Sequence, residues 1–336
     1  MTPFFLYIFC IFLFSCGATG AVRWYALRKK LLDIPNDRSS HTNPTPRGGG
    51  IAIALAVFFA VVFLRFFDII PTNFVWAFVG GGFMIVIVSF FDDRYRIRVR
   101  YRVLVHAIAA AWVLYFLGGF PSLDIGFTKF SLGWFGTIFA LIGLIWMSNL
   151  YNFMDGIDGL AGSEAVWVGS IGGFFLASYS AGGLAFVAFA LAAGAAGFLV
   201  WNWYPAKIFM GDVGSVLLGF SFGVLALFGE RLHQVPVLAW VLLLTPFIVD
   251  ATASTVRRMW KRERWFDAHH TFAYQKAVEQ GHTHSWVTLS IMGLNSVVLV
   301  LLLLVVGEPR FLIPALILSF AFFLYRWWKT QYAHSV

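Results

Sequence analysis

The sequence predicts an all-α fold, a polytopic transmembrane helical bundle of about eleven spans forming one domain over residues 1–336. Three observations carry that expectation. Of the 336 residues, 60% are hydrophobic and only 12% are charged, where a soluble domain carries about a quarter charged residues. Apolar runs near the length of a membrane-crossing helix recur from end to end, separated by short polar stretches. All but four of the 24 Lys and Arg (Arg65, Lys129, Arg231 and Arg310) fall after odd-numbered runs or in the C-terminal tail. Basic loops stay in the cytoplasm, so the N-terminus is expected outside, in the periplasm, and the C-terminus in the cytoplasm. The net charge of +8 has the same cause, together with attraction to anionic membrane lipid, and nucleic acid is not an expected partner.

The first run, 3–22, lacks a preceding basic region and reads as an uncleaved helix rather than a signal peptide. Its two cysteines, Cys10 and Cys16, lie about 9 Å apart along a helix axis and cannot pair with each other. A basic loop rich in Pro, Asn and Gly leads to the second span, 49–67, and a short turn leads to the third, 74–91. Asp92-Asp93-Arg94 closes the third, and Arg96, Arg98, Arg100 and Arg102 run into the fourth, 103–118. A longer loop with Pro121, Asp124 and Lys129 precedes the fifth, 134–150. The sixth, 163–179, and seventh, 184–201, follow, joined by the turn at 180–183. The glycine-flanked Asp212 leads into the eighth, 216–229. The ninth, 237–256, contains Pro246, which removes a backbone bond and predicts a kink. A long basic loop separates it from the tenth, 286–306, and the eleventh, 311–328.

The polar stretches point to chemistry. Between the fifth and sixth spans lies Asn149-Leu150-Tyr151-Asn152-Phe153-Met154-Asp155-Gly156-Ile157-Asp158-Gly159-Leu160-Ala161-Gly162. Asp155 and Asp158 would share one face of a helical turn, and the carboxylates and asparagines offer the hard oxygens that Mg²⁺ prefers. Asp92 and Asp93 are adjacent and repel unless a cation, a proton or an arginine relieves them. Asp212 reads either as a ligand or as the N-cap of the eighth helix, with Ser215 three residues on. In the first loop, Arg38, His41 and Arg47 could hold phosphate beside the helix opened by Gly48-Gly49-Gly50. Adjacent His269 and His270 in the last loop suit phosphate contact or proton transfer. His282 and His284 read as surface histidines, and His106 and Glu164 have no assigned role. Asp250, inside the ninth span, reads as an intramembrane functional carboxylate or as a partner of Arg257 and Arg258. Five aspartates, cations and glycine-rich turns on one membrane face suggest metal-assisted phosphoryl chemistry on a substrate that spans water and lipid.

Taken in order, Asp33-Ile34-Pro35-Asn36-Asp37-Arg38-Ser39-Ser40-His41, Pro44-Thr45-Pro46-Arg47-Gly48-Gly49-Gly50, Phe91-Asp92-Asp93-Arg94, Asn152-Phe153-Met154-Asp155-Gly156-Ile157-Asp158-Gly159 and Phe209-Met210-Gly211-Asp212-Val213-Gly214-Ser215 resemble one family. It is the polyprenyl-phosphate N-acetylhexosamine-1-phosphate transferases, glycosyltransferase family 4. The resemblance implies transfer of an N-acetylamino-sugar-1-phosphate from a UDP-sugar to undecaprenyl phosphate, leaving UMP, at the cytoplasmic face of a bacterial inner membrane. It implies Mg²⁺, with Mn²⁺ as an alternative, bound by Asp212 and Asp155. Asp92, Asp93, Asp155, Asp158 and His269 become the expected catalytic set, one of the Asp92–Asp93 pair acting as base or nucleophile. His41, Arg47, Asn152, Phe209 and His270 become expected substrate contacts, Asn152 and Phe209 at the uridine. The kinked ninth helix would open a groove for the lipid tail, and the family suggests a homodimer. Arg94 follows the acidic pair with no lysine three residues on, and His269-His270-Thr271-Phe272 lacks the fuller histidine cluster of the peptidoglycan branch. The wording therefore leans towards enzymes that initiate O-antigen or other surface-polysaccharide (lipopolysaccharide) synthesis. The alternatives are a phospho-MurNAc-pentapeptide transferase and, from another class, a membrane transporter using Asp250.

Overall fold

The computed structural model describes residues 2–35, 43–233, 235–263 and 271–332. The chain is a polytopic helical membrane protein. Its helices are α1 (Thr2–Arg28), α2 (Gly50–Phe66), α3 (Thr72–Tyr95), α4 (Val99–Leu117), α5 (Gly133–Phe153), α6 (Leu160–Ser178) and α7 (Gly182–Asn202). They continue as α8 (Asp212–His233), α9 (Val237–Leu243), α10 (Thr245–Trp260), α11 (Ala273–Glu279), α12 (His284–Gly307) and α13 (Leu312–Tyr332). Among the described residues nine helices are long and apolar enough to cross a membrane, or ten if the bent pair α9–α10 is one span. The 17-residue apolar helix α2 accounts for the remaining run expected from sequence.

Helix α8 is the axis of the bundle: 94% of its apolar window is buried, against 17% for α1 and 22% for α12. Small residues let neighbours close on it, as in other membrane bundles. Gly219 packs against the Met147 carbonyl and Tyr151 of α5, and Gly214 against the Gly50 backbone of α2. The N-terminus of α8 thereby meets the start of α2, the end of α3 and the end of α5, and that junction holds the site.

Three expectations need correction. Helix α3 does not stop before the acidic pair but runs through it to Tyr95, with a π-helical turn at Trp76–Gly80 and a left-handed Arg96 as its stop. Asp92 and Asp93 are thus held on helical backbone. Secondly, the bend expected at Pro246 is present, but as a break between two helices rather than a kink in a continuous one. Helix α9 ends, and α10 restarts at Thr245 with a bend of 78°, so Pro246 sits in a first turn where its missing N–H is no loss. Thr245 donates from Oγ1 to the Leu242 carbonyl at 2.7 Å, supplying a donor for an oxygen that Pro246 cannot serve. Thirdly, His284 is not a surface histidine: it is 7% exposed at the start of α12.

Candidate functional site

The first loop returns to the bundle through a short antiparallel pair, Leu32–Asp33 with Thr45–Pro46. The chain then lies along residues 209–210. Phe209 N–H donates to the Pro46 carbonyl at 2.8 Å, and Gly48 and Gly49 N–H donate to the Phe209 carbonyl at 3.1 and 2.9 Å. Gly50 N–H donates to the Met210 carbonyl at 2.8 Å. Gly48 and Gly211 both adopt left-handed backbone, at φ +106° and +75°, which glycine does without strain. This splice bridges Arg47 to half-buried Phe209 by backbone and carries the Arg47 side chain to the N-terminus of α8.

There, Arg47 Nη2 lies 2.8 Å from Asp93 Oδ1 and 2.7 Å from Asp212 Oδ1. Arg102, from α4, pairs with Asp92 and approaches Asp212 Oδ2 at 3.5 Å. Asp212 is not the N-cap of its own helix. Its backbone N–H donates to Asp93 Oδ1 at 3.1 Å, so the carboxylate of α3 caps α8 and leaves the Asp212 carboxylate to the two arginines. Burial works against the Arg47 charge, but Asp212, Asp93, Asp33 and Asp155 outweigh it and raise its pKa above the usual value. Asp155 stands between α5 and α6. Burial pushes its carboxyl well above the usual carboxylate range; Arg47 opposes the shift, and Asp212, Asp93 and Asp158 add to it.

Asn152 is one hydrogen bond from this cluster: Ser215 Oγ donates to its Oδ1 at 3.1 Å, and lies 3.2 Å from the Gly211 carbonyl. Asp158 faces elsewhere. Its Oδ2 accepts from Ala206 N–H at 3.0 Å, its own N–H donates to His284 Nδ1 at 3.3 Å, and its carbonyl accepts from Thr288 at 3.3 Å. The structure therefore brings Arg47, Asp92, Asp93 and Asp212 together, puts Asp155 within their field, and seats Asp158 as an anchor of the loop. His41, His269 and His270 lie outside the described residues.

Asp250 is not paired with Arg257 or Arg258. Its oxygens accept from Ala273 N–H at 2.7 Å, Tyr274 N–H at 3.2 Å and Ser254 Oγ at 3.2 Å, which caps the start of α11 and ties down the last loop. Tyr274 then donates to the Phe153 carbonyl at 2.9 Å, next to Asp155.

Arg102 and His284 were missed as site residues. Arg102 is the last of an alternating arginine run that reads as a positive-inside flank, placed just before the expected fourth span at 103, whereas the structure starts that helix at Val99 and so carries Arg102 into its first turn. Four carboxylates (Asp92, Asp93, Asp155 and Asp212) face two guanidiniums, so the ionised cluster is short of positive charge. Among the described residues no three metal-ligating side chains converge into a ready-made cage. The arrangement offers cationic nitrogens for phosphate, the positive end of α8, and carboxylate oxygens for a cation or a proton.

Residues 75–230, which include Asp92, Asp93, Arg102, Asp155, Asp158 and Asp212, match the family model "Glycosyl transferase family 4". The chain is similar to a protein of Bacillus subtilis named a probable undecaprenyl-phosphate N-acetylglucosaminyl 1-phosphate transferase, 28% identical over 253 residues, 73% of this chain and 69% of that one. It is similar to the phospho-N-acetylmuramoyl-pentapeptide-transferase of Moorella thermoacetica, 34% identical over 174 residues, 51% of this chain and 55% of the relative. It is also similar to the decaprenyl-phosphate N-acetylglucosaminephosphotransferase of Mycolicibacterium smegmatis, 32% identical over 232 residues, 61% of this chain and 55% of the relative. The chain thus spans about half the length of two of these relatives. The acidic cluster thus lies inside the region that matches glycosyl transferase family 4.

Proposed function

We propose that the protein transfers an N-acetylamino-sugar-1-phosphate from a UDP-sugar to undecaprenyl phosphate, with UMP as the leaving product, at the cytoplasmic face of a bacterial inner membrane. The observation that carries this reading is the junction at the α8 N-terminus, where Arg47 joins Asp93 to Asp212 and Arg102 joins Asp92 to Asp212. An oxygen of the lipid phosphate attacks the sugar-bearing phosphorus, and the bond from that phosphorus to the UMP oxygen breaks. One phosphoanhydride replaces another, so no separate energy source is required. Arg47 and Arg102 orient the phosphates against the helix end, and Asp92 or Asp93 takes a proton from an acceptor phosphate that arrives protonated.

The residues fit Mg²⁺, which commonly binds through one or two carboxylates and fills its shell with water and substrate phosphates. Asp212 and Asp155 are the residues that would hold it, Mn²⁺ being the substitute. When bound, the cation neutralises diphosphate charge and stabilises the departing UMP. A cavity of about 420 Å³, lined by Leu144, Met147, Phe222, Trp240, Leu244 and Ile248 at the α9–α10 break, suits an isoprenoid tail.

The test is transfer of labelled sugar phosphate in detergent from a panel of UDP-amino sugars to undecaprenyl phosphate, with and without Mg²⁺. Mg²⁺-dependent label in the lipid is the expected result, and the preferred donor identifies the pathway, O-antigen initiation being our reading. Preference for the UDP-MurNAc-pentapeptide would select the peptidoglycan reading instead. No transfer from any donor by folded protein would overturn the proposal. A transporter has little support, because the Asp250 oxygens already serve the α11 backbone and Ser254.

Asp155 gives a pH test. A carboxyl whose pKa is raised on folding binds its proton more tightly in the native state, so it destabilises the protein as pH rises above the ordinary carboxylate range. Asp155→Asn is therefore expected to raise the melting temperature of the metal-free protein by a few degrees at neutral pH and to lower transfer. That gain should shrink as pH falls, when wild-type Asp155 carries its own proton. A thermal-shift series from pH 5 to 8 checks this, and a gain independent of pH would contradict it.

A further inference from the structure

Helix α12 is mostly lipid-facing, yet one face of it is polar. His284, Thr288 and Asn295 are spaced four and eleven residues from the first, which puts them on one side of a helix over about 16 Å. All three are buried, Thr288 and Asn295 completely. His284 Nδ1 accepts from Asp158 N–H at 3.3 Å and lies 3.5 Å from Asp158 Oδ2, while Thr288 Oγ1 donates to the Asp158 carbonyl at 3.3 Å. Two turns deeper, Asn295 Nδ2 donates to Glu164 Oε2 at 2.8 Å. Glu164 is wholly buried in the first turns of α6, six residues past Asp158. Polar groups are costly inside a membrane and persist where they pair with one another. These pairs all join α12 to one target, the loop and helix start that follow Asp155.

We propose that this seam makes α12 a positioning element for the site, with His284 as its principal residue. His284 and Thr288 clamp the backbone of Asp158 on both sides. Asn295 and Glu164 hold the two helices in axial register. Asp155, three residues before the clamp, is thereby kept in the field of Arg47 and Asp212. Among the described residues Glu164 Oε1 and Asn295 Oδ1 have no hydrogen-bond partner, and a proton on the acid would close an acid–amide pair between them. A glutamine at 164 supplies the same donor, so Glu164→Gln should be tolerated where Glu164→Leu is not.

The inference rests on the proposed transfer reaction for its kinetic readout but not for its structural one. His284→Ala is expected to lower kcat about tenfold with both KM values within about twofold, as is usual for residues that orient a reacting group. His284→Asn, whose Oδ1 can stand where Nδ1 stood, should recover most of the loss. Hydrogen exchange should quicken at residues 156–160 in His284→Ala and in the milder Thr288→Val, and stay unchanged in α8. Wild-type exchange at 156–160 in both variants would overturn the proposal, as would His284→Asn behaving like His284→Ala. Inactive wild-type protein would instead sink the transfer reading, and the exchange experiment would still decide the clamp.

Discussion

Asp212→Asn is expected to reduce sugar-phosphate transfer by about a thousandfold while leaving the protein folded. Asp212 is where both arginines meet: one oxygen lies 2.7 Å from Arg47, the other 3.5 Å from Arg102. Asparagine preserves the shape and one accepting oxygen but removes the charge that both guanidiniums share. Two consequences follow for the reaction. The arginines lose the fork that aims them at the phosphates, and the proposed cation loses a ligand. Stability should change little, because removing a buried charge offsets the lost ion pairs. Arg47→Lys should fall short of wild type for a different reason: a single ammonium cannot reproduce the planar fork of a guanidinium set between Asp93 and Asp212. Transfer rates measured with saturating donor and acceptor check both. Asp212→Asn protein retaining a tenth of wild-type turnover would remove Asp212 from the chemistry.

Gly50→Ala is expected to be as damaging, although Gly50 touches no substrate. Alanine is ordinarily preferred to glycine in helices, by up to about 1 kcal/mol in the interior, so at Gly50, the first residue of α2, the sequence alone predicts no loss. The structure predicts the reverse. A Cβ on Gly50 would fall on the Gly214 backbone nitrogen and Cα, far inside contact distance, and 3.0 Å from the Met210 carbonyl. Backbone cannot rotate away, so α2 and α8 must separate, at a cost of about 1–3 kcal/mol. The separation would also break the splice that delivers Arg47 and shift its guanidinium from Asp212, and a misplacement of about 1 Å is worth about a hundredfold in rate. Gly17→Ala is the matched control, because a Cβ there meets nothing within 4 Å. Melting temperature and turnover of the two variants, measured side by side, test the point. Equal behaviour would show that the α2–α8 approach does not govern the site.

Both predictions concern a junction that was only partly readable beforehand. Asp92, Asp93, Asp155, Asp212 and Arg47 stood out because acidic and glycine-rich stretches at the ends of apolar runs are locally anomalous. Asp158 stood out for the same reason, yet its carboxylate turned out to hold the Ala206 turn. Arg102 did not stand out, since alternation along a basic segment carries no information about which arginine faces inward. His284 was hidden by its neighbours, a polar loop whose composition reads as surface.

Read without a structure, the sequence already specifies the class and the material: a membrane-spanning helical bundle, its approximate spans, and a set of carboxylates and cations gathered at span ends. Hydropathy and motif spacing are local properties, written over a few turns of chain, and they survive without knowledge of neighbours. How each polar group is used depends on packing between helices. Asp93 became the cap of another helix, Asp250 a backbone anchor, Pro246 the first turn of a new helix, and Arg102 and His284 partners of aspartates. For the aspartates, Arg102 and His284 the physical reason is the same. A buried polar atom must find its partner wherever packing places one, and here the partners lie from ten to more than a hundred residues away along the chain.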